Sequence, residues 1–334
     1  MQIAFDAVEV GEEALYRKAF PDHELTFLDA PLRSPHDDIH AAEILSVFVS
    51  SSVTRDIIDS MPKLKSIVAR SMGFDHIDRA AAKERHITVQ YVPAYGARTV
   101  AEFAFALILA LSRKAYSAYD RLRTEGTTDV KDFEGFDLAG KTLGVVGTGK
   151  IGKNMVRIGK GFDMHVLLCD AMPDELFAKE VGCDYCSLEQ LVAESDVVSL
   201  HVPLLPHTKH LINESVLAKF KRGSYLINTA RGGVIDTKAL VQALKNGTLA
   251  GAGLDVVEGE RALLDETSLL GKDHNDVQEF QELVAAHALV DMPNVVMTPH
   301  IAFNSREAKR EILDVTVKNI LSFVTGAPEN VVKG

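Results

Sequence analysis

The 334-residue chain is short of cysteine, of basic excess and of long apolar runs, and each shortage closes off a class of protein. Three cysteines are too few for a disulfide framework and suit a reducing compartment. Cys183 and Cys186 stand at CxxC spacing, but a zinc site needs further ligands and Cys169 is the only other cysteine. Two thiols around a short strand is the preferred reading over metal or redox chemistry. Lys and Arg number 36 against 47 Asp and Glu, and the net charge of −11 leaves no electrostatic footprint for nucleic acid. The most apolar run, Phe103 to Leu111, is too short to span a bilayer. No basic n-region accompanies the apolar opening, which reads as a first strand, so a cytoplasmic location is expected.

What is present is alternation. Length alone predicts about two domains. Over residues 1–98, short apolar runs at 3–5, 25–28, 46–49, 66–69 and 88–91 alternate with helical patterns at 12–19, 55–60 and 78–84. This implies a parallel sheet with helices on both faces. Thr99-Val100-Ala101-Glu102 reads as a capping box that opens a helix reaching about Arg123. Its first half is apolar on nearly all sides, as in a helix buried in the protein or between copies. From Lys141 the alternation resumes, with strands predicted at 142–146, 164–169, 196–200, 224–228, 251–254 and 295–298 and a helix at 236–245. The charged stretch 260–292 is either a functional loop closing over a site or a peripheral insertion. A last amphipathic helix, 305–324, carries Ile312, Val315, Ile320 and Phe323 on one face and is expected to return to the first domain. The expected division is residues 1–98 plus 304–334, and 99–303.

The second half begins with the most informative stretch. The apolar run Thr142 to Val146 breaks into Gly147-Thr148-Gly149-Lys150-Ile151-Gly152, continues as a helical pattern, and returns in a second apolar run ending on Asp170. Strand, glycine turn, helix, strand and acid form a dinucleotide-binding fingerprint with its context present. Gly147 allows the tight turn, Gly149 lets a pyrophosphate approach the backbone, and Gly152 lets the helix pack close to the strand. The N–H groups at the helix start favour an anion. Asp170 can accept from a ribose diol and repels a 2′-phosphate. With no Arg in Ala171-Met172-Pro173, the expected cofactor is NAD rather than NADP.

Further polar residues gather where ligands bind in open α/β sheets, after the carboxyl ends of strands. Asn228-Thr229-Ala230-Arg231 follows one strand, Asp255 and Glu260 another, Thr298-Pro299-His300 a third, and His201-Val202-Pro203 a fourth. An Arg, a Glu and a His in one site divide naturally. Arg231 can hold a carboxylate by two parallel hydrogen bonds, and His300 can give or take a proton near neutrality. Glu260 beside that imidazole would favour its protonated form. Together with a nicotinamide, this implies hydride transfer to a 2-keto acid. Arg231 as a plain loop cation and His201 as a core histidine are the competing structural readings, and spacing alone leaves the triad open.

The segments SMGFDHID (71–78), VPAYGARTVAEFAFALIL (92–109), GKTLGVVGTGKIG (140–152), LHVPLLPHTKHLIN (200–213), YLINTARGGVIDTKAL (225–240), GAGLDVVEGE (251–260) and TPHIAF (298–303) together resemble the D-isomer-specific 2-hydroxyacid dehydrogenase family over nearly the whole length, its lactate-type branch most of all. The resemblance implies two Rossmann-like α/β domains, each a doubly wound parallel sheet, with the active-site cleft between them. It also implies a homodimer and no nucleic-acid or membrane partner. On it, Arg231 anchors the substrate carboxylate, His300 is the acid/base and Glu260 its partner. Met72 and Gly73 offer backbone to the carboxylate, while Tyr95 and Phe303 stand near the substrate. Thr148, Gly149, Lys150, Ile151, Asp170, Val202, Pro203, Thr229, Ala230 and Arg231 line the NAD site, and Asp255 meets the nicotinamide amide. Two departures bear on substrate choice: Arg98 adds a cation, and Gly259 stands where lactate-type relatives carry a bulkier residue. Pyruvate reduction to D-lactate is the expected activity. A larger 2-keto acid, or an NAD-sensing binding role, is the alternative.

Overall fold

A computed structural model describes residues 1–93, 95–126, 128–259 and 277–332, with backbone alone at 277–280 and 282. The chain divides into two units, Met1–Gly96 with Ser305–Gly334, and Ala97–Asn304.

In the first unit, strands β1 (Gln2–Phe5), β2 (Glu24–Phe27), β3 (Ile44–Val47), β4 (Ser66–Ala69) and β5 (Thr88–Gln90) pair in parallel in the order β2-β1-β3-β4-β5. The central β3 and β4 are buried at every position, as expected of strands covered on both faces. Helix α1 (Glu12–Ala19) brings Tyr16 against Phe5 and Phe20 on one face. Helices α2 (Arg55–Asp59) and α3 (Arg79–Glu84) bring Ile57, Ile58, Ala81 and Ala82 to the other. The Asp78 carboxylate starts α3 by accepting the Ala81 N–H at 2.9 Å. The sequence-predicted strand at 46–49 stands two residues earlier. It stops because the Phe48 N–H leaves the ladder for Asp6 Oδ1, 2.9 Å away.

The C-terminal helix, Arg306–Val324, belongs to this unit. It opens with Ser305 Oγ accepting the Ala308 N–H at 3.1 Å and buries Ile320 beside Ile3 and Phe5. Gln90 Nε2 donates to Asn319 O at 3.0 Å and to Glu329 O at 2.8 Å, and Asn319 Nδ2 donates to Tyr91 O at 2.9 Å. These buried amides tie the two ends of the chain into one unit.

The second unit opens with helix α4 (Ala97–Arg113) and helix α5 (Ala115–Glu125). One continuous helix capped at Thr99 was the expectation, and the structure differs twice. The helix starts at Ala97, and Glu102 is drawn to Arg98 Nε at 2.7 Å rather than back to Thr99. It also breaks at Lys114, whose φ of 49° is left-handed. α4 buries Ala101, Ala104, Phe105, Leu107, Ile108 and Leu111, whereas α5 buries none of its residues among the described part of the chain.

Strands β6 (Thr142–Val146), β7 (His165–Cys169), β8 (Asp184–Tyr185), β9 (Val197–Leu200), β10 (Ser224–Asn228), β11 (Leu249–Leu254) and β12 (Val295–Met297) form a parallel sheet in the order β12-β11-β10-β9-β6-β7-β8. Its crossover helices are α6 (Lys150–Gly161), α7 (Glu175–Val181), α8 (Leu188–Glu194), α9 (Glu214–Leu217) and α10 (Thr237–Lys245). The strand order reverses at β6, which has β7 on one side and β9 on the other. That is the topological switch point, where open α/β sheets bind ligands. Of the stretch 260–292, residues 260–276 lie outside the described part, and a helix covers Val277–Val290.

Candidate functional site

The turn after β6 is fixed by close approach. Gly147 has φ 92°, its N–H donates to Cys169 O at 2.8 Å, and a Cβ on it would lie 2.6 Å from His201 O and 2.9 Å from Val202 Cγ1. A Cβ on Gly152 would collide with the Gly147 carbonyl. These two glycines are demanded by protein packing. Gly149 differs: nothing lies within 4 Å of the place its Cβ would take, and its backbone is ordinary, with φ −66°. It is the N-cap of α6 and offers no side-chain cap, so the first N–H groups of a twelve-residue helix are left for a ligand or solvent to satisfy. Lys150, the first helical residue, is exposed, and Ile151 packs partly into the core.

Asp170 closes the other side of the turn. Its Oδ2 accepts the Thr148 N–H at 2.5 Å and the Thr148 hydroxyl at 3.0 Å, and its Oδ1 accepts the Met172 N–H at 2.9 Å. Partial burial pushes the carboxyl up, but these hydrogen bonds outweigh it and hold its pKa below the usual carboxylate value. A charged acceptor therefore stands beside the helix start at neutral pH. Tyr185, which motif reading missed, bridges the turn: its hydroxyl lies 2.7 Å from Thr148 Oγ1 and accepts the Asp174 N–H at 3.0 Å. The two-residue β8 that carries it is too short for any periodic signal.

The ends of β9 to β12 carry the remaining candidates. After β9, the His201 N–H donates to Val146 O at 2.7 Å, and its Nε2 lies 2.9 Å from Ser199 Oγ. Burial pushes this imidazole down to about 3, so it is neutral. Val202 packs on the Gly147 turn, and Pro203 O accepts from Thr208 Oγ1 at 2.6 Å. After β10, the fully buried Asn228 shapes the loop. Its Nδ2 donates to Arg231 O at 3.0 Å and its Oδ1 accepts the Ala230 N–H at 3.0 Å. Arg231 Nη1 donates to Ala230 O at 2.8 Å. Thr229 Oγ1 is buried with no hydrogen-bond partner among the described residues.

Asp255, after β11, organises the turn that bears the histidine. Its Oδ1 accepts from Thr298 Oγ1 at 2.6 Å and from the Ile301 N–H at 2.9 Å, and its Oδ2 accepts the Ala302 N–H at 2.8 Å. The His300 N–H donates to Asp255 O at 2.9 Å, and His300 has φ 55°, a left-handed backbone uncommon for a residue with a side chain. Burial raises the Asp255 carboxyl above its ordinary value, although the Thr298 hydroxyl, the two N–H groups and the nearby imidazole pull it down. Phe303 follows in the same turn, closed by Asn304 N–H to Ile301 O at 2.8 Å. Glu260 lies outside the described residues. Gly259 has φ 76°, so its being glycine has a backbone reason.

The substrate-side candidates Met72, Gly73 and Tyr95 belong to the first unit. There the Ser71 hydroxyl donates to Gly73 O at 2.6 Å, the Val92 N–H donates to Ser71 O at 3.1 Å, and Tyr95 is buried. Arg98 is exposed and ion-paired to Glu102 on its own helix. Among the described residues, no group of three or more His, Cys, Asp or Glu is placed to hold a metal ion, and no helix is long and apolar enough to cross a membrane.

An uncapped helix start, open space at Gly149, an ionised Asp170 and a Thr229 hydroxyl with no partner among the described residues together fit a dinucleotide. Residues 105–302 match the model of the D-isomer specific 2-hydroxyacid dehydrogenase, NAD binding domain. The chain belongs to the D-isomer-specific 2-hydroxyacid dehydrogenase family. A D-lactate dehydrogenase of Curvularia clavata is 37% identical over 97% of this chain and 91% of its own length. A glyoxylate reductase of Korarchaeum cryptofilum is 38% identical over 87% and 82%. The crystal structure of a D-lactate dehydrogenase from Aquifex aeolicus, complexed with NAD and lactic acid, superposes with a TM-score of 0.86 at 38% identity, covering 99% of each chain. The chain is thus an NAD-dependent oxidoreductase of this family, and its two parallel sheets are the Rossmann-like folds the family is built from.

Proposed function

We propose that this dehydrogenase reduces pyruvate to D-lactate with NADH. The observation that carries the reading is the Asp255-held turn, which fixes His300 in a left-handed backbone two strands from the Arg231 loop. The bound nicotinamide supplies or accepts the hydride at C2 of the acid. Arg231 holds the substrate carboxylate by two parallel N–H bonds, with the backbone at Met72 and Gly73 assisting, and Tyr95 and Phe303 face the substrate. His300 gives a proton to the keto oxygen in reduction and takes it back in oxidation, with Glu260 as its partner. Asp255 positions His300 and meets the nicotinamide amide. Gly147 to Gly152 would receive the pyrophosphate and Asp170 the ribose diol, with Val202, Pro203, Thr229 and Ala230 lining the rest of the NAD site.

Pyruvate is favoured because the Aquifex aeolicus structure, similar over nearly its whole length, holds lactic acid. The left-handed backbone at Gly259 removes the need to read that glycine as a widened pocket. The second reading, a different 2-keto acid, is supported by the glyoxylate reductase, 38% identical over 87% of this chain. Two further proposals concern context. Exposed Tyr116, Tyr119 and Leu122 on α5 suit burial against a second copy of the chain in a homodimer. The free Cys169, Cys183 and Cys186 suit the cytoplasm.

The test is NADH and NADPH oxidation with glyoxylate, pyruvate, 2-oxoisocaproate and phenylpyruvate. Pyruvate with NADH should give the highest kcat/KM. A higher value for another keto acid replaces the substrate assignment. Asp170→Ala should raise NADPH use relative to NADH by about tenfold or more, since a carboxylate beside a phosphate is strongly repulsive. An unchanged ratio removes Asp170 from cofactor selection.

A further inference from the structure

His210 belongs to none of the roles assigned above, yet it joins three segments that carry them. It lies on the loop after β9 with φ 50°. Its backbone N–H donates to Gly233 O at 2.9 Å, two residues beyond Arg231. Its Nε2 lies 2.7 Å from Glu258 Oε1, two residues before Glu260. The Ile212 N–H continues the tie to Val234 O at 3.1 Å.

The two segments that His210 joins are themselves in tight contact. A Cβ on Gly232 would collide with the Val257 carbonyl and lie 2.5 Å from the Glu258 nitrogen, and one on Gly233 would lie 3.7 Å from Glu258 Oε1. The backbone just after Arg231 is therefore laid on the Val257–Glu258 backbone. The Glu258 side chain is only 15% exposed, so its carboxylate depends on a partner inside the protein. A histidine–carboxylate hydrogen bond is stronger and more directional than a neutral one.

We propose that His210 and Glu258 are positioning residues that set the Arg231 loop against the Val257–Glu258 segment and thereby tune affinity for the substrate carboxylate. This rests on the reading of Arg231 as the carboxylate anchor. Neither residue is among those assigned above to the substrate or the cofactor. They act through the Gly232–Gly233 backbone, which has no side chain to hold it otherwise.

The experiment compares His210→Ala, Glu258→Gln and the double variant with wild type in the full-length enzyme. Three quantities are read: KM and kcat for pyruvate, the Kd of oxamate (a pyruvate isostere) on NADH-saturated enzyme, and the Kd of NADH with Tm. The pyruvate KM and oxamate Kd should rise roughly tenfold, as for loss of a hydrogen bond to a charged group, while NADH binding and Tm stay near wild type. The double variant should be no worse than His210→Ala, because both changes break one interaction. His210→Gln, which keeps an N–H at similar reach, should recover most of the loss.

Oxamate and pyruvate constants within about twofold of wild type overturn the proposal. So does parallel weakening of NADH binding, oxamate binding and Tm, which marks a purely structural tie. Failure of the wild type to turn over any 2-keto acid with NADH overturns the parent reading as well. That result appears in the wild-type control before any variant is measured.

Discussion

In the first unit, the carboxyl ends of β1 and β4 are filled by the protein's own polar groups. Asp6, just past β1, accepts from the Phe48 N–H, the Leu32 N–H and the Ser51 hydroxyl, and pairs with Arg70 Nη2 at 3.3 Å. Both residues are buried, and Arg70 also donates to the Asp6 carbonyl. Burial raises the Asp6 carboxyl above its ordinary value even beside the guanidinium. In the second unit, the corresponding end of β6 opens into a glycine turn with space at Gly149 and an uncapped helix start. The same doubly wound architecture is closed by a buried ion pair in one case and left receptive in the other. Helix α1 of the first unit also starts at an uncapped glycine, Gly11, so the difference between the two ends lies in the residue after the strand, Asp6 in one unit and Gly147 in the other.

The contrast can be broken from either side. Asp6→Ala leaves Arg70 buried without its countercharge. It should cost about 3–5 kcal/mol by chemical denaturation while the folded fraction keeps its NADH affinity. A loss under about 1 kcal/mol would mean that the ion pair does not close the first sheet. Gly152→Ala drives a methyl into the Gly147 carbonyl and should destabilise by about 1–3 kcal/mol and weaken NADH binding together. Gly149→Ala sharpens the same point, because its methyl meets no protein atom. Its stability should stay within about 0.5 kcal/mol of wild type while NADH binding weakens. Unaltered NADH binding in Gly149→Ala would remove the pyrophosphate from that space.

A smaller effect tests the strand next to the turn. Burial holds His201 at about 3 against an ordinary 6.5, so the folded state keeps it neutral while the unfolded chain takes up a proton. Stability from this group is full above pH 6.5 and falls on acidification toward pH 3, by at most about 1.4 kcal/mol per pH unit. His201→Gln should therefore flatten the loss of Tm between pH 6.5 and pH 5. A variant as acid-sensitive as wild type would show that His201 is not buried neutral.

Much of this contrast was legible in the sequence, and its gaps have physical causes. Strands 66–69, 142–146 and 224–228 stand where apolar runs bounded by turn residues put them, because parallel strands buried on both faces give continuous signals. The glycine turn and Asp170 were readable because each residue serves a local geometry. The break at Lys114 was not, since a single left-handed residue leaves no compositional mark. Asp6 and Arg70 stand 64 positions apart, and the pair exists only once β1 and β4 are in one sheet. Tyr185 and the His210–Glu258 contact likewise depend on tertiary register. Asp255 was readable as a strand-end acid. Its three hydrogen bonds to the His300 turn required the loop itself.

The most direct measurement is made on His300→Ala, by NADH fluorescence titration together with NADH oxidation by pyruvate. NADH should bind with close to wild-type affinity, and turnover should fall by about 10²–10⁴, the usual contribution of a positioned acid/base. Loss of NADH binding, or turnover within about tenfold of wild type, would contradict the assignment of the strand ends in the second unit as a hydride-transfer site with His300 as its proton donor.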